Sequence, residues 1–166
     1  MTKFKHVTIV YEADVNLPAD RFFDHLTDWT NVLAYLPEWH PFAFTHVTLA
    51  EGHSDEGFPR TRLMYLDKTA LPDGTDPDSL PDSFAETLIL ADKEAGTVVY
   101  KVEPTLGMRN YYGIQVIEPR PGNTCHTKLT VQFDCPEDLY DAEFERMLIQ
   151  VYKGVIHGIE ESRADA

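Results

Sequence analysis

From Phe42 to Asp134 apolar and polar side chains alternate with period two, and the pattern then changes to that of a single long helix. Alternation of this kind marks strands with one face buried. Six strands are expected, near 43–51, 60–68, 83–92, 97–103, 109–118 and 124–134, most of them joined by Gly- or Pro-bearing linkers such as "EGHSDEGFP", "DKEAG", "EPTLG" and "PRPGN". One linker differs. "TALPDGTDPDSLPD" (Thr69 to Asp82) is long, rich in Pro and Asp and aperiodic, as lids and insertions commonly are.

A further strand is expected at the start, "HVTIVYEA" (His6 to Ala13). After it Asn16 is a plausible cap and Pro18 suits a first helical turn. Phe22, Phe23, Leu26 and Trp29 follow at helical spacing, then Val32, Leu33 and Leu36 on a second short helix bounded by Pro37 and Pro41. In the closing stretch Phe144, Leu148, Val151, Tyr152, Val155 and Ile159 lie on one wide apolar helical face. Gly154 and Gly158 each cost that helix about 1 kcal/mol relative to Ala. Such a pair implies a closely approaching backbone, space left for something else, or tolerance near a fraying end.

Seven antiparallel strands and one long apolar-faced helix make an α+β protein. A sheet of that size buries its apolar face against a single helix only by curling around it. The curl cannot close fully, and the gap is a natural pocket.

Parity indicates which side chains face the gap. On 97–103 the even row, Val98, Tyr100 and Val102, points inward; on 124–134 the odd row does, with Leu129, Val131 and Phe133. On 109–118 the apolar row is Tyr112, Ile114 and Val116, so Tyr112 rather than Tyr111 is expected inside, unless a bulge near Gly113 reverses the phase. The even rows of 83–92 (Phe84, Glu86, Leu88, Leu90) and 60–68 (Arg62, Met64, Leu66) are taken as inner. Counting through the hairpins sets Tyr112 opposite Tyr100, with Glu86 near Tyr100 or Val102 and Met64 near Glu86; Arg62 falls one diagonal step away. A buried carboxylate is costly unless compensated. Glu86 must therefore pair with Arg62, take up a proton or be hydrated in a cavity; an outward-facing Glu86 is the remaining option.

The 28 Asp and Glu against 14 Lys and Arg give a net charge of −14, which repels phosphate backbones and anionic headgroups. Neither nucleic acid nor a membrane is an expected partner. No apolar run approaches the ~20 residues of a membrane span, and "MTKFKHVTIVYEAD" lacks the marks of a secretory signal. Cys125 and Cys135, if on one straight strand, are about 33 Å apart, beyond disulfide reach. Reduced thiols and a cytoplasmic location are expected.

The seven histidines show no metal-ligand spacing, and no nucleotide-binding or hydrolase motif is present. No metal and no cofactor are expected.

The element order, with "VNLPADRFFDHLTDWTNVLAYLPE", resembles the START-like (SRPBCC) helix-grip superfamily: polyketide cyclase/dehydratase-like proteins, lipid-transfer domains, the birch-pollen allergen group and plant abscisic acid receptors. The similarity spans nearly the whole chain and implies one START-like domain over residues 1–166. In a finer comparison, "TRLMYLDK" resembles the receptors' strand with an inward Arg, and "SLPDSFAETLILADKE" resembles their gate loop and Glu-bearing strand. The spacing Glu86–Tyr100–Tyr112 is similar to that of their pocket-lining Glu, Phe and Tyr. Their pocket lysine has no counterpart near "FAFTHV", so a hormone-receptor role does not carry over.

Two functions follow as expectations. In the first, the cavity binds a small, largely hydrophobic molecule (aromatic, polyketide-like or isoprenoid-like). It meets Met64, Leu66, Phe84, Leu88, Tyr100 and Val102 on the central strands, Ile114, Leu129 and Val131 beyond them, and Phe144, Leu148 and Tyr152 on the helix, with 69–82 as lid. In the second, an enzyme of the cyclase, dehydratase or lyase type uses Glu86 as acid/base, with Tyr112 and Arg62 as oxyanion or orienting groups.

Overall fold

Seven antiparallel strands form one sheet in the order β1-β7-β6-β5-β4-β3-β2. They are β1 (Phe4–Val15), β2 (Phe44–Leu49), β3 (Arg60–Leu66), β4 (Ser83–Asp92), β5 (Thr97–Val102), β6 (Arg109–Arg120) and β7 (Thr124–Pro136). The computed structural model describes residues 1–53 and 56–162; Ser54 and Asp55, in the linker read from "EGHSDEGFP", and residues 163–166 lie outside it. Helix α1 (Ala19–Thr27) and a 3₁₀ turn (Val32–Ala34) carry the chain from the β1 edge to the β2 edge, and α2 (Ala142–Ser162) closes the chain. This is the helix-grip arrangement expected from the pattern.

Two local details differ. Pro18, not Asn16, takes the position before α1, and its carbonyl accepts the first helical bond from Phe22 N at 3.0 Å. The second short helix is a single 3₁₀ turn, too tight to extend far. Among the described residues no helix is long and apolar enough to cross a membrane.

Bulges shape the sheet. Extra residues enter β2 near Thr45, β4 near Ile89 and β6 at Asn110–Tyr111. Each bends its strand and increases the local twist, as a sheet must to wrap a helix. The β4 bulge also turns Leu90 outward, against the reading of an unbroken even row.

The glycines of α2 are explained by close approach. A Cβ at Gly158 would lie 2.9 Å from the carbonyl carbon of Tyr35, and one at Gly154 would lie 2.8 Å from Pro37 Cγ. The segment Tyr35–Trp39 thus rests directly on the helix. The core falls into two clusters. One holds Val15, Phe22, Trp29, Leu88, Ile156 and Ile159; the other holds Val7, Ile9, Met108, Tyr111, Leu129 and Phe133. Tyr100 packs against both.

Candidate functional site

A cavity of about 260 Å³ lies between the sheet and α2. Met64, Phe84, Tyr100, Val102 and Leu129 line its sheet side, and Phe144, Leu148 and Tyr152 its helix side. Leu66, Leu88 and Val131 are buried on the inner face as read, but they lie outside the cavity wall.

Tyr112 and Ile114 do not belong here. Tyr111 is 7% exposed, whereas Tyr112 and Ile114 are 48% and 47% exposed on the outer face. The reason is the bulge at the start of β6. Arg109 pairs with Asp134 and Tyr112 with Gln132, so one extra residue enters near Asn110, whose φ is +54°. From Arg109 onward, strict alternation would have put Tyr112 inside; the extra residue turns Tyr111 inward instead. The true inner row is Tyr111, Gly113, Gln115 and Ile117. Gly113 sits opposite Tyr100, and a Cβ there would fall 2.7 Å from the Tyr100 hydroxyl. Glycine at this point is clearance for the tyrosine ring. Gln115 is satisfied inside by donating to Thr127 Oγ1 at 2.9 Å.

The polar corner is built on β3 and β4, where Arg62 lies directly opposite Glu86 and Glu86 directly opposite Val102. Arg62 Nε donates to Glu86 Oε2 at 2.8 Å, and Arg62 Nη2 donates to the same oxygen. Nη1 donates to the Trp29 carbonyl at 3.0 Å, and the guanidinium lies 3.7 Å from the centre of the Trp29 ring. Trp29 Nε1 returns a bond to the Glu86 carbonyl at 3.2 Å. Of the options open for Glu86, pairing with Arg62 is the one observed, and it ties the α1 linker to the sheet.

Three phenols lie close to this corner, the Tyr100 ring centre 6.3 Å from that of Trp29. The Tyr111 and Tyr152 hydroxyls are hydrogen-bonded at 2.5 Å, and the Tyr100 ring centre lies 6.4 Å from that of Tyr111. Burial pushes the pKa of all three above the usual phenol range; for Tyr100 and Tyr111 the neighbouring Tyr152 adds to the rise, and Glu86 raises each of the three. They are held as neutral hydroxyls, suited to donating hydrogen bonds rather than abstracting protons.

The remaining wall comes from residues that strand parity does not reach. Trp29, Tyr35, His40 and Phe42 contribute from the linker between α1 and β2, and Phe44 from the start of β2. Phe42 N–H donates to His40 Nδ1 at 3.1 Å, and burial lowers the His40 pKa from the imidazole range. The available signal was the aromatic run "WHPFAF", dense for a loop. No residue of 69–82 lines the cavity; Lys68 Nζ ties its far end, donating to the Leu80 carbonyl at 3.1 Å and to Asp82 at 2.9 Å.

Residues 6–161 match the family model described as polyketide cyclase / dehydrase and lipid transport. No curated protein matches the chain. Among solved structures, Ara h 8.0201 is 16% identical, with 98% of this chain and 100% of that one covered at a TM-score of 0.70. Norcoclaurine synthase from Thalictrum flavum, in complex with dopamine and hydroxybenzaldehyde, is 18% identical, with 98% and 88% covered at 0.66. The protein XoxI from Bacillus cereus is 15% identical, with 94% of each chain covered at 0.66. At these identities the likeness is one of fold.

Proposed function

We propose that this chain, which belongs to the polyketide cyclase / dehydrase and lipid transport family, binds a small, largely apolar molecule between its sheet and α2. The observation that carries this reading is the cavity itself: aromatic and aliphatic walls, a few convergent hydroxyls and one already-paired guanidinium. Sites of that make-up are typical of small-molecule binding. A protein of the same fold is known in complex with dopamine and hydroxybenzaldehyde, which supports a small aromatic occupant. The buried, unpaired Cys125 and Cys135 support a cytoplasmic location.

The Arg62 pairing favours binding over proton transfer by Glu86. In the enzymatic alternative Glu86→Gln abolishes turnover while affinity stays within about tenfold. Native mass spectrometry of freshly purified protein tests the binding reading: a copurified small molecule released on denaturation is expected. Protein that is empty and takes up no apolar probe would refute it.

The two adjacent tyrosines give a finer test. Tyr111→Phe is expected to weaken ligand affinity about fivefold, near the ~1 kcal/mol of one hydrogen bond, while Tyr112→Phe leaves it unchanged. Calorimetric titration reads both, and the reverse ranking would contradict the inner row described above.

A further inference from the structure

Charge in the cavity is already spent. Among the described residues Arg62 is the one Lys or Arg side chain lining it; each of its three guanidinium nitrogens donates to Glu86 or Trp29, and one face is covered by the indole. Against this cation stand the part-buried Glu86 and, exposed to solvent, Asp28. Of the histidines there, His25 shares a hydrogen bond with the Tyr35 hydroxyl at 3.0 Å, and burial favours neutral His40. An entering carboxylate would meet one guanidinium already engaged by Glu86, with no further Lys or Arg among the described lining residues. Such a group is strongly disfavoured without a cation of its own.

Hydroxyl protons, by contrast, are in excess. Tyr100, Tyr111 and Tyr152 bring three O–H groups, each one donor. The hydrogen bond between Tyr111 and Tyr152 uses one of these protons and leaves two over. Among the described residues no carboxylate or carbonyl accepts from them. Thr105 Oγ1, buried without a hydrogen-bond partner, lines the same cavity. An unpaired buried donor is costly, so the site is complete only when an acceptor arrives.

We infer that the cavity selects an uncharged molecule carrying an acceptor oxygen, a ketone or quinone carbonyl docked on the Tyr100–Tyr111–Tyr152 hydroxyls, and discriminates against carboxylates of the same shape. The inference rests on the cavity being the ligand site.

Three probes with one skeleton test it: acetylnaphthalene, ethylnaphthalene and naphthoate, titrated into the full chain by calorimetry at neutral pH. The ketone is expected to bind at least about tenfold more tightly than naphthoate and severalfold more tightly than ethylnaphthalene. Tyr152→Phe should reduce the ketone's advantage over ethylnaphthalene, lowering ketone affinity more than ethylnaphthalene affinity, a readout that general loss of structure would not reproduce. Naphthoate binding as tightly as the ketone would overturn the charge selection. Equal binding of ketone and ethylnaphthalene would overturn the acceptor role while the cavity stands as a ligand site. Binding of none of the three would overturn the inference and the binding reading together.

Discussion

Arg62→Met is expected to lower the free energy of unfolding by about 3 kcal/mol, the cost of leaving a buried carboxylate without its partner. For a chain of this length that is a fall in Tm of roughly 6–12 °C. The Arg62 and Glu86 side chains are only 11% and 21% exposed, so solvent offers the stranded carboxylate little relief. The loss extends beyond the ion pair, because the same guanidinium holds the Trp29 carbonyl and covers its ring. Pairing Arg62→Met with Glu86→Leu is expected to recover much of the loss, since an apolar pair needs no desolvation of charge. Denaturant unfolding of the two variants checks this. A single variant within 0.5 kcal/mol of the parent, or a double variant no better than the single one, would show that the pair is solvated and contributes little.

The second large effect is expected at Gly158. Gly→Ala on a helix ordinarily gains up to about 1 kcal/mol. Here the new methyl would meet the Tyr35 backbone, with the Tyr35 Cα only 3.0 Å away. Backbone cannot rotate aside as a side chain can, and overpacking typically costs 1–3 kcal/mol. Gly158→Ala is therefore expected to destabilise the protein by about 1–2 kcal/mol in net terms, and Gly154→Ala by less, because its nearest neighbour is the Pro37 ring. Because Tyr35 and His40 line the cavity, the same substitution should also weaken ligand binding. Thermal unfolding that shows Gly158→Ala as stable as the parent would mean that the Tyr35–Trp39 segment does not rest on α2.

Much of the fold was legible because one signal dominates it. The period-two array and the apolar face of α2 leave few alternatives, and the inner rows of β5 and β7 follow from simple alternation; on β3, where both rows carry large apolar side chains, the buried row is the even one. β6 was misread for a physical reason. Its inner row contains Gly113 and Gln115 because that face meets the Tyr100 ring and a buried Thr127, while Tyr112 and Ile114 lie on the water-facing side. Apolarity identifies the inner face of a strand that packs against other residues, and it fails where the strand borders a cavity or a ring that needs room. The bulge at Asn110 compounds this, since nothing in "MRNYYGIQV" sets the phase of counting. The aromatic linker after α1 escaped for another reason: loop residues have no periodicity to read, so only the density of rings in "WHPFAF" hinted at a wall. The long Pro/Asp loop reads as a lid from its length, its lack of periodicity and its resemblance to a gate loop; none of its residues is in the cavity lining.

The chain's two tryptophans permit a direct test of the cavity as a ligand site. Trp29 lines the cavity, whereas Trp39 is exposed and outside the lining. In a Trp39→Phe background Trp29 is the sole indole, and its emission is titrated with a neutral aromatic ketone that quenches on contact. A hyperbolic, saturating loss of Trp29 fluorescence is expected as the guest fills the space between sheet and helix. A linear loss with no plateau, with the slope of free tryptophan in solution, would mean that the space admits no guest.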